Sequence, residues 1–334
     1  MSKTTPNPIL HVLGNSVVDM FMLGVASFPA QDGARAEVSG VDSQPGGNGL
    51  NVALAAAQST STDVHLLTAI GDDERGKLLR AACARRMPGT VELISAARRG
   101  DQTGLSVVAV QDAQPRFLVF PGCSDRIGAA FLRSHINELV AAQCLHLCGI
   151  GLLPGLELST LVRFLHELRQ IAPGILIVLD VNLMAKARNT GVPLWRRILP
   201  LLRHVDFFVP NDAEAIAYSS VASPRDNLAA TELLTKAAAR LNASVRVATI
   251  ITRGPLGVLL CERGKVPISV PAVKIPRRKV VDTVGAGDAW AAGFLCGLLR
   301  NIDLVECCRR GNELAAMSIQ SRGGTSGISA VHSA

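Results

Sequence analysis

The residues with the clearest capacity for chemistry lie late in the chain, in Val280-Val281-Asp282-Thr283-Val284-Gly285-Ala286-Gly287-Asp288-Ala289-Trp290. Small and apolar residues follow from Ala291 to Leu299, a composition that predicts a buried helix. Glycines at a helix start leave backbone N–H groups bare. The helix dipole adds positive potential there, so the spot favours an anion such as phosphate. Asp288 stands inside that turn. A carboxylate beside bound phosphate is what phosphoryl transfer asks of a base, which must take the proton of an attacking hydroxyl. The structural alternative is a Gly-rich turn with Asp288 as a helix cap.

A second element, Pro45-Gly46-Gly47-Asn48-Gly49-Leu50-Asn51-Val52-Ala53, opens another helix-like run. Paired glycines let a ligand approach the backbone, and Asn48 and Asn51 each offer donors and acceptors, which suits a polyhydroxylated ligand. A turn with an asparagine cap accounts for the same residues. Gly14-Asn15-Ser16-Val17-Val18-Asp19 follows the first strand-like run, and strand ends of open α/β sheets are where ligands bind. Asp19 suits the hydroxyls of a sugar, unless it is a solvated loop residue. Two nucleotide motifs fail. A GxGxxG from Gly285 meets Trp290 where its last glycine belongs. Gly71 to Lys77 fits GxxxxGK, but Leu78 replaces the Ser or Thr that holds magnesium, and Asp72-Asp73-Glu74-Arg75 would repel phosphate. Cys144, His146 and Cys148 alternate, so a strand puts all three on one face, as soft metal ligands would be. Zinc spacing and a fourth ligand are missing, and the apolar, glycine-bounded run QCLHLCGI is read as buried core.

The elements that must position these residues alternate. Ile9 to Leu13, Val64 to Ala69, Cys144 to Cys148, Ile175 to Leu179, Phe207 to Val209 and Val247 to Thr252 read as buried strands. Helix-like runs lie between them at Asn51 to Gln58, Gly76 to Arg86, Ile127 to Ala141, Leu156 to Gln170, Asp212 to Ala217 and Leu228 to Leu241. The pattern predicts βαβ units, hence an α/β, doubly wound and mostly parallel sheet. Thr103 to Val110 and Arg116 to Phe120, separated by the turn-like Gln111-Asp112-Ala113-Gln114-Pro115, predict an antiparallel hairpin. With strand candidates at Met20 to Leu23 and Ala34 to Gly40, they predict a small β-sheet lid that excludes water from a reaction site.

The chain has 334 residues, 48% hydrophobic and 18% charged, enough for one large or two ordinary domains and too apolar to be mostly disordered. Its apolar stretches are interrupted well short of the ~20 residues of a spanning helix, so no membrane partner is expected. Lys plus Arg at 34 against Asp plus Glu at 27 gives a net charge of +7. The basic residues are scattered as pairs such as Arg85-Arg86 and Arg309-Arg310, with one cluster from Arg277 to Lys279, and aromatics are 4%. No nucleic-acid partner is expected from that pattern; the charge helps attract small anions. Eight cysteines without CxxC spacing, and an opening MSKTTPNPIL unlike a secretory leader, predict reduced thiols and a cytoplasmic location.

Taken together, GGNGLNVA and DTVGAGDAW, with GNSVVD, the Gly71-Asp72-Asp73 segment, VPNDAEA at Val209 and TRGPLG at Thr252, resemble the ribokinase-like PfkB family of carbohydrate and nucleoside kinases over nearly the whole chain. The resemblance implies one ribokinase-like kinase domain over residues 8–330, with the lid from about 20–44 and 102–121. It implies ATP-dependent phosphorylation of a hydroxymethyl group of a sugar. An adenosine-like nucleoside kinase is the alternative, and a non-catalytic sugar- or nucleotide-binding regulator the remote one. By the same resemblance Asp288 is the catalytic base, and Gly285, Ala286 and Gly287 form the anion hole. Asp19, Gly47, Asn48 and Asn51 take substrate-contacting places. Asn211 and Glu214 organise Mg2+ and phosphates, Thr252, Gly254 and Gly257 the nucleotide-side loop, and Asn312 falls near an adenine pocket. Asp282, with carbonyls near Val284, Ile319, Arg322 and Gly324, resembles a monovalent-cation site for K+. ATP and Mg2+ are thus the implied cofactors, a small-molecule sugar or nucleoside the partner, and a homodimer through the lid the assembly.

Departures bear on the substrate. Where ribokinases proper carry an asparagine shortly before the Asp19 position this chain has Val17, and where they carry a lysine after the paired glycines it has Asn48. The sugar is therefore not identified as ribose. GNSVVD is similar to the opening of adenosine kinases, and a nucleoside base needs an aromatic or apolar wall. Phe21, Phe28, Phe117 and Phe120 are candidates for it, with lid packing as their alternative. Asp180-Val181-Asn182 resembles a family strand end whose basic residue is displaced to Lys186 or Arg188.

Overall fold

Apolar runs bounded by turns form the larger of two sheets in the computed structural model, which describes residues 7–25, 35–58, 62–86, 91–111, 114–182, 194–221 and 230–324. Its strands are β1 (Ile9–Leu13), β4 (Asp63–Thr68), β5 (Val91–Ser95), β8 (Cys144–Leu147), β9 (Leu176–Leu179), β10 (Phe207–Phe208), β11 (Ala248–Thr252), β12 (Val258–Glu262) and β13 (Ile268–Val270). The nine lie in the order β13-β12-β11-β10-β9-β8-β1-β4-β5. From β5 to β11 every pairing is parallel, and β12 and β13 close the edge antiparallel.

Strand alternation splits the core into two layers, as burial on both faces of a parallel sheet requires. Leu10, Val12, Leu66, Val178 and Ile250 face one layer with α1 (Asn48–Ala56), α2 (Glu74–Arg86), α9 (Ala286–Leu299) and α10 (Leu304–Ser318). Leu13, Leu67, Leu145, Ile177 and Ile251 face the other. That layer holds α3 (Ala129–Ser134), α4 (Ile136–Ala141), α5 (Leu158–Ile171), α6 (Leu194–Leu202), α7 (Asp212–Ser219) and α8 (Ala230–Asn242). The result is a doubly wound α/β fold. Glycines let α9 and α10 cross closely: a Cβ on Gly293 would lie 2.6 Å from Arg310 O, and one on Gly311 would lie 2.7 Å from the Trp290 ring.

The smaller sheet, in the order β3-β2-β6-β7, comprises β2 (Val17–Leu23), β3 (Gly40–Gly46), β6 (Gly104–Gln111) and β7 (Gln114–Phe120). The expected hairpin is β6–β7, paired antiparallel, and β2 joins β6 in parallel. The strand expected over Ala34 to Gly40 instead runs Gly40–Gly46. Pairing with β2 sets that register, and an edge strand tolerates Pro45, which disguises it in sequence. The helix expected over Ile127 to Ala141 is two, broken at His135. There the Ser134 hydroxyl donates to Phe131 O at 2.8 Å and His135 Nδ1 lies 2.9 Å from the same oxygen, so side chains compete with the helical ladder. Phe28, Lys186, Arg188, lid residues 26–34 and 112–113, and residues 325–330 lie outside the described residues. Among the described residues no helix is long and apolar enough to cross a membrane.

Candidate active site

The C-terminal ends of the parallel strands deliver most of the predicted residues to one side of the sheet, as open α/β sheets do. After β1 the chain passes through Gly14-Asn15-Ser16 into β2, which carries Asp19. A Cβ on Gly14 would stand 2.7 Å from Gly49 Cα, so this loop touches the start of α1 only because both are glycine. Asn15 Oδ1 accepts from Asn48 N at 2.9 Å, which locks the two segments together.

Asp288 sits in the first turn of α9, where Gly285 is the N-cap in a left-handed conformation and no side chain caps the helix. Its carboxylate bridges two helices: Asn48 Nδ2 donates to Oδ1 and Asn51 Nδ2 to Oδ2, each at 2.8 Å. The two elements that look strongest in sequence therefore meet through direct hydrogen bonds. Burial pushes the Asp288 carboxyl up to about 6, against the pull of those two amide donors. Burial also pushes Asp19 up to about 7; a Ser106 hydrogen bond opposes this, and the negative Asp288 and Asp282 add to it. Gly46 presses on Asp19 so closely that a Cβ there would lie 1.9 Å from Oδ2. The site thus concentrates carboxylates at an uncapped helix N-terminus, an arrangement suited to passing a proton beside a bound anion.

The loops expected to hold the metal and nucleotide form a second group. Asn211 and Glu214 make a capping box on α7: Asn211 Oδ1 accepts from Glu214 N at 2.9 Å and Glu214 Oε2 accepts from Asn211 N at 3.0 Å. Asn211 also bridges Thr252, which joins this box to the loop holding Gly254 and Gly257. Both glycines have positive φ, and a Cβ on Gly257 would lie 2.2 Å from Val270 O. Asn312, on α10, is set apart and fully engaged. It accepts from Trp290 Nε1 at 3.0 Å and donates to Pro271 O at 2.8 Å, so it fastens α9 and α10 to the β13 edge.

The residues expected at a monovalent cation come together where two loops cross. Asp282 accepts from Val284 N and from Gly323 N, each at 3.0 Å, and Ile319 O accepts from Val281 N at 2.8 Å. Gly324 packs against both Gly285 and Asn51, and Arg322 reaches toward Asp42 of β3 at 3.9 Å.

Three contributors escape the sequence reading as site residues. Ser106 faces Asp19 only through the β2–β6 register, and sequence carries no signal of that pairing. Asn15 and Asp180 stand in segments notable in sequence, yet their roles emerge only from contacts. Asp180 follows β9, and its carboxyl is raised well above the usual range by burial, then by Glu214 and Asp288. Of the aromatic candidates, Phe21 is buried and shares Asp19's face of β2, whereas Phe117 and Phe120 are exposed on β7.

Residues 13–330 match the family described as pfkB family carbohydrate kinase. The chain is 26% identical over 289 residues to a ribokinase of Lactococcus lactis subsp. lactis (strain IL1403), covering 85% of this chain and 82% of that protein. It is 27% identical over 308 residues to a cytidine kinase of Thermococcus kodakarensis, covering 92% and 94%. Its fold matches a solved ribokinase of Arabidopsis thaliana complexed with ribose and ATP, with a TM-score of 0.72 and 21% identity over 96% of this chain and 94% of that one. With a family match across nearly its whole length and a doubly wound sheet that carries the matching motifs at its strand ends, this chain belongs to the pfkB family of carbohydrate kinases.

Proposed function

We propose that this chain transfers the γ-phosphoryl group of ATP to a hydroxymethyl group of a sugar, with Asp288 as the base. The observation that carries the reading is Asp288 itself: buried at an uncapped helix start, aimed by Asn48 and Asn51, with a carboxyl near 6. As the acceptor oxygen bonds to the γ-phosphorus and the bond to ADP breaks, the hydroxyl proton passes to Asp288. Backbone N–H groups of Gly285 and Gly287, with that of Ala286 once it gives up its 3.3 Å bond to Thr283 O, supply the donors for charge on the transferred group. Space around Gly287 supports this, since a Cβ there would meet nothing within 4 Å. Asp19, Gly47, Asn48 and Asn51 hold the acceptor, and Thr252, Gly254, Gly257 and Asn312 belong to the nucleotide side.

Oxygen donors of Asp180, Asn211 and Glu214 fit a hard divalent cation; burial first, then the charges of Glu214 and Asp288, raise the Asp180 carboxyl, and a cation there would offset both. Mg2+, when bound, neutralises phosphate charge. The carboxylate and carbonyl oxygens of Asp282, Val284, Ile319, Arg322 and Gly324 keep lone pairs that fit K+. A panel of sugars and nucleosides assayed for ATP turnover, with K+ exchanged for a bulky organic cation, tests the reading. One acceptor class should turn over with K+ stimulation; binding without turnover across the panel would instead support a regulator. A nucleoside acceptor is the second reading, favoured by Phe21 on the face that bears Asp19.

A homodimer through the smaller sheet is part of the same proposal. Phe117, Leu118, Val119 and Phe120 of edge strand β7 are all exposed, Leu118 by 75%, a run that an unpartnered edge seldom leaves bare. Leu118→Lys should shift the mass measured by light scattering from two chains to one. A wild-type mass of one chain would sink the dimer.

A further inference from the structure

Cys144 and His146 lie buried within β8, and Cys148, in the same buried layer as Cys144, stands just beyond the strand's end. Cys148 N donates to Leu13 O at 2.8 Å and Asp180 N to Leu147 O at 2.9 Å, so the sheet's own hydrogen bonds fix both backbones beside the reaction centre. Asp288 reaches the same point from α9. Cys148 Sγ and one carboxylate oxygen each from Asp180 and Asp288 lie within 4.8 Å of one another, the one such group among the described residues. Cys148 is fully buried, and among the described residues no hydrogen-bond partner holds its thiol. Asp180 stays partly exposed, which gives the point an opening.

We propose that Cys148, Asp180 and Asp288 form a site for a thiophilic divalent cation, of which Zn2+ and Cd2+ are the probes, and that its occupation stops turnover. A thiol adds nothing for hard Mg2+, whereas one sulfur with two carboxylates is a donor set that Zn2+ accepts. Bonds of ~2.3 Å to sulfur and ~2.0 Å to oxygen set tetrahedral ligands roughly 3.5 Å apart, so modest closure of the three side chains completes the site. The metal–sulfur bond forms as the thiol proton leaves to solvent, with no change of oxidation state. The cation offsets the charge of Asp288 that, after burial and Glu214, bears on Asp180. It also occupies the lone pairs with which Asp288 would take a proton. The inhibition rests on the proposed role of Asp288; the binding does not.

Binding is read on the full chain with Cd2+ alone, by its thiolate-to-metal charge-transfer absorbance. Wild type should show a band saturating at one ion per chain, and Cys148→Ser should lack that step. Asp180→Asn should weaken it at least about tenfold, since even groups that only support a ligand change affinity by ~10–100-fold. In turnover assays Zn2+ should inhibit wild type reversibly on chelation. Cys148→Ser and Cys148→Ala, each checked for fold by circular dichroism, should need at least about tenfold more Zn2+, with the Mg2+ dependence unchanged. A band of the same size and midpoint in Cys148→Ser, or Zn2+ sensitivity equal to wild type in both variants, overturns the proposal. If no acceptor turns over, the absorbance titration decides it alone.

Discussion

Asp288→Asn is expected to lower turnover about 10²–10⁴-fold, the range that a positioned base supplies, with little change in substrate affinity. The amide matches the carboxylate in shape and has no basic site. Its placement should survive because Asn51 can turn its own amide: among the described residues Asn51 Oδ1 is buried without a partner, and it would accept from the new Nδ2. The wild-type pH profile of kcat/KM should fall on the acid side between pH 7 and 6. Both carboxyls are raised into that range, Asp19 partly by the charge of Asp288, so the limb belongs to the pair. A variant that keeps near-full rate with the acceptor found for wild type would remove Asp288 from the role of base.

The same substitution should make the protein more stable in mild alkali. A carboxyl raised from 3.8 to about 6 by folding contributes stability while protonated, fully below pH 3.8, and loses it as pH rises through about 6. At pH 8 the ionised, desolvated group therefore costs the native state up to about 3 kcal/mol at 1.36 kcal/mol per pH unit. His11 and His146 work oppositely: burial lowers each from 6.5 to about 4, so their contribution is present above pH 6.5 and lost as pH falls through about 4. Comparing Asp288→Asn with wild type cancels the histidines. Its Tm should exceed wild type at pH 8, and the gap should close near pH 4. A lower Tm at pH 8 would mean that the carboxylate's hydrogen bonds outweigh its burial.

The glycine motifs are legible from sequence because they act through backbone, where residue type and role are nearly the same thing. Gly46 is glycine because the Asp19 carboxylate fills the space of a Cβ, and Gly14 and Gly49 because two backbones touch. The buried parallel strands are legible because burial on both faces demands unbroken apolar runs. What stays hidden depends on register. β3 contains Pro45 and polar residues, so only pairing with β2 reveals it, and Ser106 faces Asp19 through the β2–β6 pairing. Cys148 reads as core and does pack in the same buried layer as Cys144; what sequence does not show is that, one residue past the strand, it also lies beside Asp180 and Asp288. Alternation predicts the face, here even one residue past the strand, but not which side chains other elements bring to it.

Gly285→Ala and Gly287→Ala should separate backbone geometry from ligand space, two glycines apart by one residue with opposite tolerances. Gly285 sits at φ 78°, and its Cβ would lie 2.3 Å from Gly324 Cα. The left-handed backbone alone costs an alanine about 1–3 kcal/mol, and a backbone collision cannot be relieved by rotating a side chain. The 282–285 turn must then move away from Gly324, carrying the first-turn N–H donors and Asp288 with it. Activity should fall about 10²–10³-fold, the loss of one well-placed donor, together with a lower Tm. Gly287 is helical, and its Cβ would meet nothing within 4 Å. Alanine there should leave Tm unchanged or raise it, since glycine in a helix costs roughly 0.5–1 kcal/mol. In the proposed anion hole its methyl group would stand where the transferred phosphoryl binds, so turnover should still fall and KM for ATP rise. Melting curves and steady-state kinetics on both variants decide the matter. If Gly287→Ala keeps full activity, the phosphoryl group does not approach this turn, and the anion hole must be sought elsewhere along the strand ends.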